Sequence, residues 1–467
     1  MRNLLCILAL LCLPLPCAAT AYYLANASTS PVGNDSNTGT DAAHPWLSPN
    51  HAVNCGDTIT AVASTSYSSA NFASGKWGVV TCAGGNNVAW VICATFDGCK
   101  ISGGSSDAMK ISASYWGVQG WETTSTTGAC FAISPPSTTT IHHIILANDV
   151  CNGAGSGFNA FNNGSASVDY LIYLGDIAYN AAQSTSECTS AFSLWEPLNS
   201  DTKIGTHIYW AGNFAFGNVE PAICASVAAS DGEGFIIDTL DGGTYNGQVV
   251  LDNNISVFNG GRAVEILLNT VNSPLPRVFV RGTTAYYNGQ QNYSGSFYAC
   301  GDMLIDSAYS TEISNTLITS TAAAACGGNN VASFLVLDGN GTDFVYNNYG
   351  YTSLGAGYFT YSAGGSGFAF GPNNTLTDPV FANPVSPGAP SCSGKTNTVD
   401  CMSTVIANFT PTVTAAKLYG YQIPSTTSRY DPLYPPWLCS VTNLPTGLQT
   451  PGCVIAGMPG SGTASFK

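Results

Sequence analysis

Between Ile141 and Thr352 the chain repeats itself, and no other feature limits its possible folds as much. Apolar segments closed by a turn residue recur as IHHIILANDVCN, VDYLIYLGDIAYN, HIYWAGNFAFGN, VVLDNNISVFN, VFVRGTTAYYN, TEISNTLITS and TDFVYNNYGYT. They end at Asn152, Asn180, Asn218, Asn259, Asn288, Ser320 and Thr352, in steps of 28, 38, 41, 29, 32 and 32 residues. A period of about 20 to 50 residues is the mark of a solenoid, in which each unit buries its apolar face only by stacking on the next. After each segment comes a connection of variable length and then a second short strand: GFNAF, AFSLW, GFIID, AVEIL, DMLID, SFLVL and GFAFG. Length variation confined to one place in every coil maps to one face of a solenoid, often the binding face.

Alternation within the second strand sets the faces. Phe235 and Ile237 share one parity, as do Val264 and Ile266, so these point inward while Ile236 and Glu265 point outward at the same height on neighbouring coils. Strands are therefore expected to stack in parallel. Asn152, Asn180, Asn218, Asn259 and Asn288 are expected along one turn column, where stacked amides bond one another and the backbone.

Only 8% of residues are charged, while 51 are glycine and Ser, Thr and Asn abound, a composition suited to strands joined by turns. The class expected is all-β. A net charge of -15, with 12 scattered Lys and Arg, excludes nucleic acid as a partner, because neutralising phosphates takes clustered cations. Polyanionic substrates are disfavoured too, unless a local basic site or a bound cation compensates.

Arg2, the apolar run from Leu4 to Pro16 and the small residues Ala18 to Ala21 read as a Sec signal peptide cleaved before Tyr22. Cys6, Cys12 and Cys17 follow Leu5, Leu11 and Pro16, which does not suit a lipoprotein anchor. A secreted or periplasmic, monomeric mature protein is expected, with no membrane insertion, since no later stretch approaches the roughly 18 to 20 apolar residues of a spanning helix. Of 17 cysteines, 14 lie beyond the signal, and an oxidising compartment makes disulfides their default state. Close pairs are Cys93/Cys99, Cys392/Cys401 and Cys439/Cys453. Without a CxxC, and with five histidines, zinc is the weaker reading.

The Asn-ended coils, with DGEGFIID and NGGRAVEI, resemble the right-handed parallel β-helix proteins of the pectate-lyase-like superfamily. The opening YYLANASTSPVGNDSNTGTDAAHPW is similar to the first strand and loop that lead into a cap in secreted members, and TDPVFANP resembles the point where such helices end. This implies a solenoid domain over 22–384, including its N-terminal cap, behind a signal peptide at 1–21. The Pro-, Ser-, Thr- and Cys-rich stretch 385–467 is read as a disulfide-tied tail folding back over the last coils, with too many prolines for a long helix.

Ionisable groups are scarce, so their gathering points matter. Asp231, Glu233, Asp238 and Asp241 fall close together, and Arg262 and Glu265 follow one coil later. Aligning Phe235 with Val264 sets Glu233 level with Arg262. Resemblance to β-helix lyases casts Asp231, Glu233 and Asp238 as acids or calcium ligands and Arg262 as the base or carboxylate clamp, since a cation acidifies the proton next to a uronate carboxylate. No lysine stands near them, and a guanidinium gives up its proton reluctantly. A hydrolase would instead use a carboxylate pair, Asp238 with Asp231 or Glu233, one as general acid and one activating water. The competing structural reading makes Glu233 and Arg262 a stacked salt bridge and the glycines mere bends. Trp195, Tyr286 and Tyr287 are candidate platforms for sugar rings, although interior aromatic stacks are equally expected. His142 and His143 are read as structural, one facing in and one out if their strand is regular.

No nucleophile elbow, phosphate loop or HExxH occurs, which removes serine hydrolases, nucleotide enzymes and zincins. The expectation is a protein that cleaves or binds an extracellular polysaccharide along its loop-lined face, as lyase or glycosidase. A non-catalytic adhesin or surface-binding module is the alternative. A structural spike, which would trimerise, is a third.

Overall fold

The computed structural model describes residues 19–82, 88–162, 164–203, 205–228, 231–240, 245, 247–267, 278–290, 301–306, 311–320, 332–336, 343–352, 359–361, 368–370, 372–423, 441–442 and 465–466. Among them, three long sheets carry 12, 10 and 9 strands. Each coil gives one strand to each. Ile141–Ala147, Val150–Asn152 and Ser156–Ala160 form one coil, and Val168–Leu174, Ile177–Tyr179 and Phe192–Trp195 the next. Ladders between coils are parallel, with Ile141 opposite Val168, Val150 opposite Ile177 and Phe158 opposite Phe192. This is the parallel β-helix that the repeat predicts.

The interior is a set of columns. Phe131, Phe158, Phe192 and Phe235 stack with ring centroids 4.7, 4.7 and 4.9 Å apart, the spacing of the strands that carry them. All four are fully buried, and each contributes about 1.5 to 3 kcal/mol relative to exposure.

The asparagine column is only partly as expected. Asn218, Asn259 and Asn288 form it: Asn218 Nδ2 donates to Asn259 Oδ1 at 2.7 Å, and Asn259 Nδ2 to Asn288 Oδ1 at 2.9 Å. Asn152 and Asn180 stand outside it. Asn152 pairs with Tyr179, and Tyr179 with Phe216, which puts Ala154 and Ala181 level with Asn218; Asn152 turns to Glu122 at 3.1 Å instead. A second ladder, not foreseen, runs through Asp149, Asp176, Asn213 and Asn254 at the other turn, each backbone N–H bonded to the next side chain at 2.8 to 2.9 Å.

Strand alternation also fails at the histidine pair. His143 is an extra residue between the paired positions 142 and 144, with φ 58°, and Tyr170 is its counterpart one coil on, with φ 46°. These bulges align rings into a stack, Tyr115–His143–Tyr170–His207, with centroids 4.9, 4.4 and 3.9 Å apart. Asp169, itself buried, receives the Tyr245 hydroxyl and meets His207 Nδ1, each at 2.8 Å.

Within the described residues 372–423, the chain lies against the coils. Phe381, Met402, Val405, Ile406 and Phe409 cover the outer face of the 10-stranded sheet at Val150, Ile177, Phe214, Ile255, Val257 and Leu317. Its helices, α1 (Thr398–Cys401) and α2 (Ser403–Asn408), are short, and Cys392–Cys401 closes the loop before them. Gln422 and Asn253 exchange two hydrogen bonds, at 2.6 and 2.7 Å. Further disulfides among the described residues join Cys55–Cys82, Cys93–Cys99, Cys130–Cys151 and Cys188–Cys224, as suits an extracellular or periplasmic protein. The pair Cys439/Cys453 and residues 1–18 of the expected signal peptide 1–21 lie outside the described residues. No helix among them is long and apolar enough to cross a membrane.

Candidate active site

Four consecutive strands of the 9-stranded sheet build the site: β1 (Ser156–Ala160), β2 (Phe192–Trp195), β3 (Phe235–Asp238) and β4 (Val264–Leu267). Their inward residues are the apolar ones of alternate parity. Outward at one level stand Asn159, Ser193, Ile236 and Glu265, and two residues on in β2 and β3 stand Trp195 and Asp238, directly opposite each other.

Over this outer face lies a pocket of about 360 Å³, lined by Ser156, Asn159, Phe161, Glu187, Cys188, Thr189, Ser193, Trp195, Asp231 and Asp238. Asp231 and Asp238 thus face one space, beside an indole that is 43% exposed. Burial pushes the Asp238 carboxyl above the usual carboxylate range; the charges of Glu265 and Glu196 add to this, while a 2.7 Å hydrogen bond from the Thr239 hydroxyl opposes it.

The walls are pinned. Cys188–Cys224 ties one to a neighbouring hairpin, and the buried Glu220 carboxylate accepts the backbone N–H of Thr189 and, at 2.9 Å, that of Asp231. Gly232 N–H donates to Thr189 O at 2.9 Å, and Thr189 Oγ1 to Gly155 O at 2.6 Å. Sequence reasoning missed Glu187 and Glu220, which sit in connections of no fixed length. The Cys188/Cys224 pair flanking the latter was the available signal.

Glu233, Arg262 and Glu265 come together as the coil register implies, but within the wall and not at the mouth of the groove. Glu233 is fully buried, Arg262 is 4% exposed and Glu265 5%. Arg262 Nη1 bonds Glu265 and stands 3.8 Å from Glu233 Oε1; the other Glu233 oxygen accepts the Ser190 hydroxyl at 2.8 Å. Burial, then the charges of Glu265 and Asp231, drive the Glu233 carboxyl well above its ordinary range against the pull of Arg262. With Glu233 protonated, one guanidinium balances one carboxylate, and the buried set is neutral. The glycines of DGEG and NGG do more than bend the chain. A Cβ on Gly261 would lie 2.4 Å from Glu233 Oε1, and one on Gly234 would lie 2.0 Å from Ser256 Oγ.

The other sequence candidates fall elsewhere. Tyr286, on a different sheet from Trp195, packs against Phe381 and Phe409 of the C-terminal segment, and Tyr287, just past that strand, packs against Phe258. The calcium set Asp231, Glu233 and Asp238 does not gather its oxygens. Among the described residues, the trio whose ligand atoms all lie within 4.8 Å is Cys188, Glu220 and Cys224, whose sulfurs are joined in the disulfide. Asp241 lies outside the described residues.

No protein-family model matches the chain, and no curated protein does. Among solved structures, it is similar to the A-module of a mannuronan C-5 epimerase from Azotobacter vinelandii, with TM-score 0.36 and 12% identity over 68% of this chain and 86% of that one. It is also similar to the GH136 lacto-N-biosidase of Eubacterium ramulus, with TM-score 0.35 and 11% identity over 76% and 68%.

Proposed function

We propose that this is an exported glycan-cleaving enzyme that hydrolyses a glycosidic bond in the pocket over β1 to β3. The observation that carries the reading is the convergence of Asp231 and Asp238 on one pocket beside the exposed Trp195. Asp238, whose hold on its proton burial and neighbouring negative charge strengthen, is the general acid that protonates the leaving oxygen. Asp231 is the carboxylate that activates water or meets the sugar. Trp195 offers an aromatic face to the apolar side of a pyranose.

Hydrolysis fits better than elimination. Removing a proton beside a uronate carboxylate needs a base and a cation to neutralise that carboxylate. Arg262, the cation nearest in sequence, is buried between Glu233 and Glu265, and the residues lining the pocket include no Lys, Arg or His.

The test is incubation of the purified protein with a panel of polysaccharides, following reducing ends together with the ultraviolet absorbance of unsaturated uronates. Reducing ends without new absorbance, lost in Asp238→Asn, are expected. Rising absorbance would overturn hydrolysis. Binding without cleavage of any polymer would leave a surface-binding module as the better account.

A further inference from the structure

We propose that Glu220 is the positioning residue of the site: its buried carboxylate fixes the loop that presents Asp231 to the pocket, and through Asp231 it sets the rate of cleavage. The inference rests on the glycan-cleaving reading above and adds to it a residue outside the pocket lining.

The two acids reach the pocket from unlike supports. Asp238 stands on β3, whose ladders run to β2 on one side and to β4 on the other, so its place follows from paired strands. Asp231 precedes that strand and is joined to it through Gly232, with φ 88°, and Gly234. Glycines leave a chain its widest choice of conformation, and a side chain on a loop is placed less precisely than one on a strand. Hydrolysis by a carboxyl pair depends on the distance between its members, and a misplacement of about 1 Å can cost about 100-fold in rate. An acid on such a loop therefore needs a holder.

Glu220 supplies it. Its side chain is 5% exposed; one carboxylate oxygen accepts the Thr189 N–H, and the other accepts the Asp231 N–H at 2.9 Å. Those two residues both line the pocket yet belong to neighbouring coils. The Gly232 N–H donates to Thr189 O at 2.9 Å, which closes a ring of contacts through Glu220, Thr189, Gly232 and Asp231. The ring is anchored at two points: Thr189 Oγ1 bonds Gly155 O at 2.6 Å, and Cys224, in the connection that carries Glu220, is joined to Cys188 beside Thr189. Two hydrogen bonds to a carboxylate offset the cost of burying it. An amide in its place would not serve both donors, because Gln accepts through one atom and offers N–H groups through the other.

The experiment is a double-mutant cycle of Glu220→Gln, Asp231→Asn and the two combined, on the polysaccharide of the panel that the parent cleaves, with thermal melting as the folding control. Glu220→Gln is expected to lower kcat at least about tenfold, with KM within about twofold of the parent and a melting temperature close to it. In the Asp231→Asn background the same change should cost nothing further, since a residue that acts through Asp231 then has nothing left to place. Unchanged kcat in Glu220→Gln, or an equal loss in both backgrounds, overturns the assignment. If Glu220→Gln melts early, Glu220→Asp replaces it with the same expectations, because it keeps the charge but is one methylene too short to reach both donors. Crystal structures of the parent and the Glu220 variant supply a readout apart from turnover: the Asp231 carboxylate is expected to shift while Asp238 stays in place, and an unmoved Asp231 overturns the proposal. If the parent cleaves nothing on the panel, the glycan-cleaving reading falls by itself, and the two structures still decide whether Glu220 places Asp231.

Discussion

Arg262 Nη1 stands 3.8 Å from Glu233 Oε1 on the preceding coil and is bonded to Glu265 three residues further along its own chain. The relationship shows how a β-helix turns sequence spacing into contact. The ladder sets Phe235 opposite Val264, so residues two positions before each are stacked neighbours although 29 residues separate them. The contact lies inside the wall of the pocket, where its consequence is structural.

Arg262→Ala should therefore cost stability, by about 3 to 5 kcal/mol, because it leaves the Glu265 carboxylate buried without its counter-charge. The double change Arg262→Met with Glu265→Leu should recover most of the loss. Urea denaturation of the three proteins is the check. A single variant that melts like the parent while losing all turnover would return Arg262 to the catalytic machinery.

Asn259→Ala is expected to be more damaging than Asn180→Ala. Asn259 accepts from the Asn218 amide and donates to Ser256, Ala215 and Asn288, all within a buried column. Truncation would strand several of these groups, at roughly 1 to 3 kcal/mol each where water cannot replace the bond. Asn180 is exposed, with φ 49°, so its replacement should cost no more than about 1 kcal/mol. Chemical denaturation separates the two, and equal losses would remove the ladder as a source of stability.

The contrast marks what the sequence could disclose. Parity within GFIID and AVEIL sufficed to place Phe235 against Val264, because strand alternation is a local property. The turn was not legible to the residue: Asn152 and Asn180 close the same motif as Asn218 but sit two positions and one position before the column, where Ala154 and Ala181 stand. The bulges at His143 and Tyr170 break alternation with no marker in composition. Tyr286 and Tyr287 looked like a sugar platform because nothing local tells which sheet the C-terminal segment covers. Glu187 and Glu220 were passed over because loops of unequal length hold them, and only the folded coil brings them beside Asp231.

Trp195→Ala separates binding from folding. The side chain is 43% exposed, so its loss should change stability by no more than about 0.5 kcal/mol. A stacking contact of about 1.4 kcal/mol corresponds to tenfold in affinity, which is the weakening expected for oligosaccharide binding by calorimetry. Unchanged affinity would place the sugar elsewhere.

Asp238→Asn should lower kcat by at least about 100-fold with little change in melting temperature, the size expected for losing a general acid. The wild-type kcat should fall as pH rises through the raised Asp238 pKa, because the acid must hold its proton. A profile that instead climbs with pH would assign Asp238 the base role, and one unaffected by the substitution would remove it from the chemistry.

The buried carboxyls make a separate prediction for stability against pH. Asp302 is fully buried; burial pushes its pKa from 3.8 up to about 6, although hydrogen bonds from Ser320 and Asn288 pull the other way. Asp149, Asp176 and Glu233 are shifted upward by burial in the same sense. A raised folded pKa means that the folded state holds the proton more tightly, so the stability it confers is complete below the unfolded value and is lost as pH climbs through the folded one. Asp169 opposes this. Burial would raise its carboxyl, yet the hydrogen bond and charge of His207, with the bonds from Ser200, hold it below 3.8, and its contribution is lost only as pH falls further. The part of the stability that Asp302 carries should therefore decline as pH rises from about 4 through about 6, while His143, whose imidazole burial holds down at about 3, contributes in the opposite sense over the same range. Asp302→Asn should flatten part of that decline, since the amide fills the same place without titrating. Melting curves of the parent and of Asp302→Asn across this range decide the matter: a difference between the two that does not change with pH would mean that Asp302 does not carry a raised pKa in the folded protein.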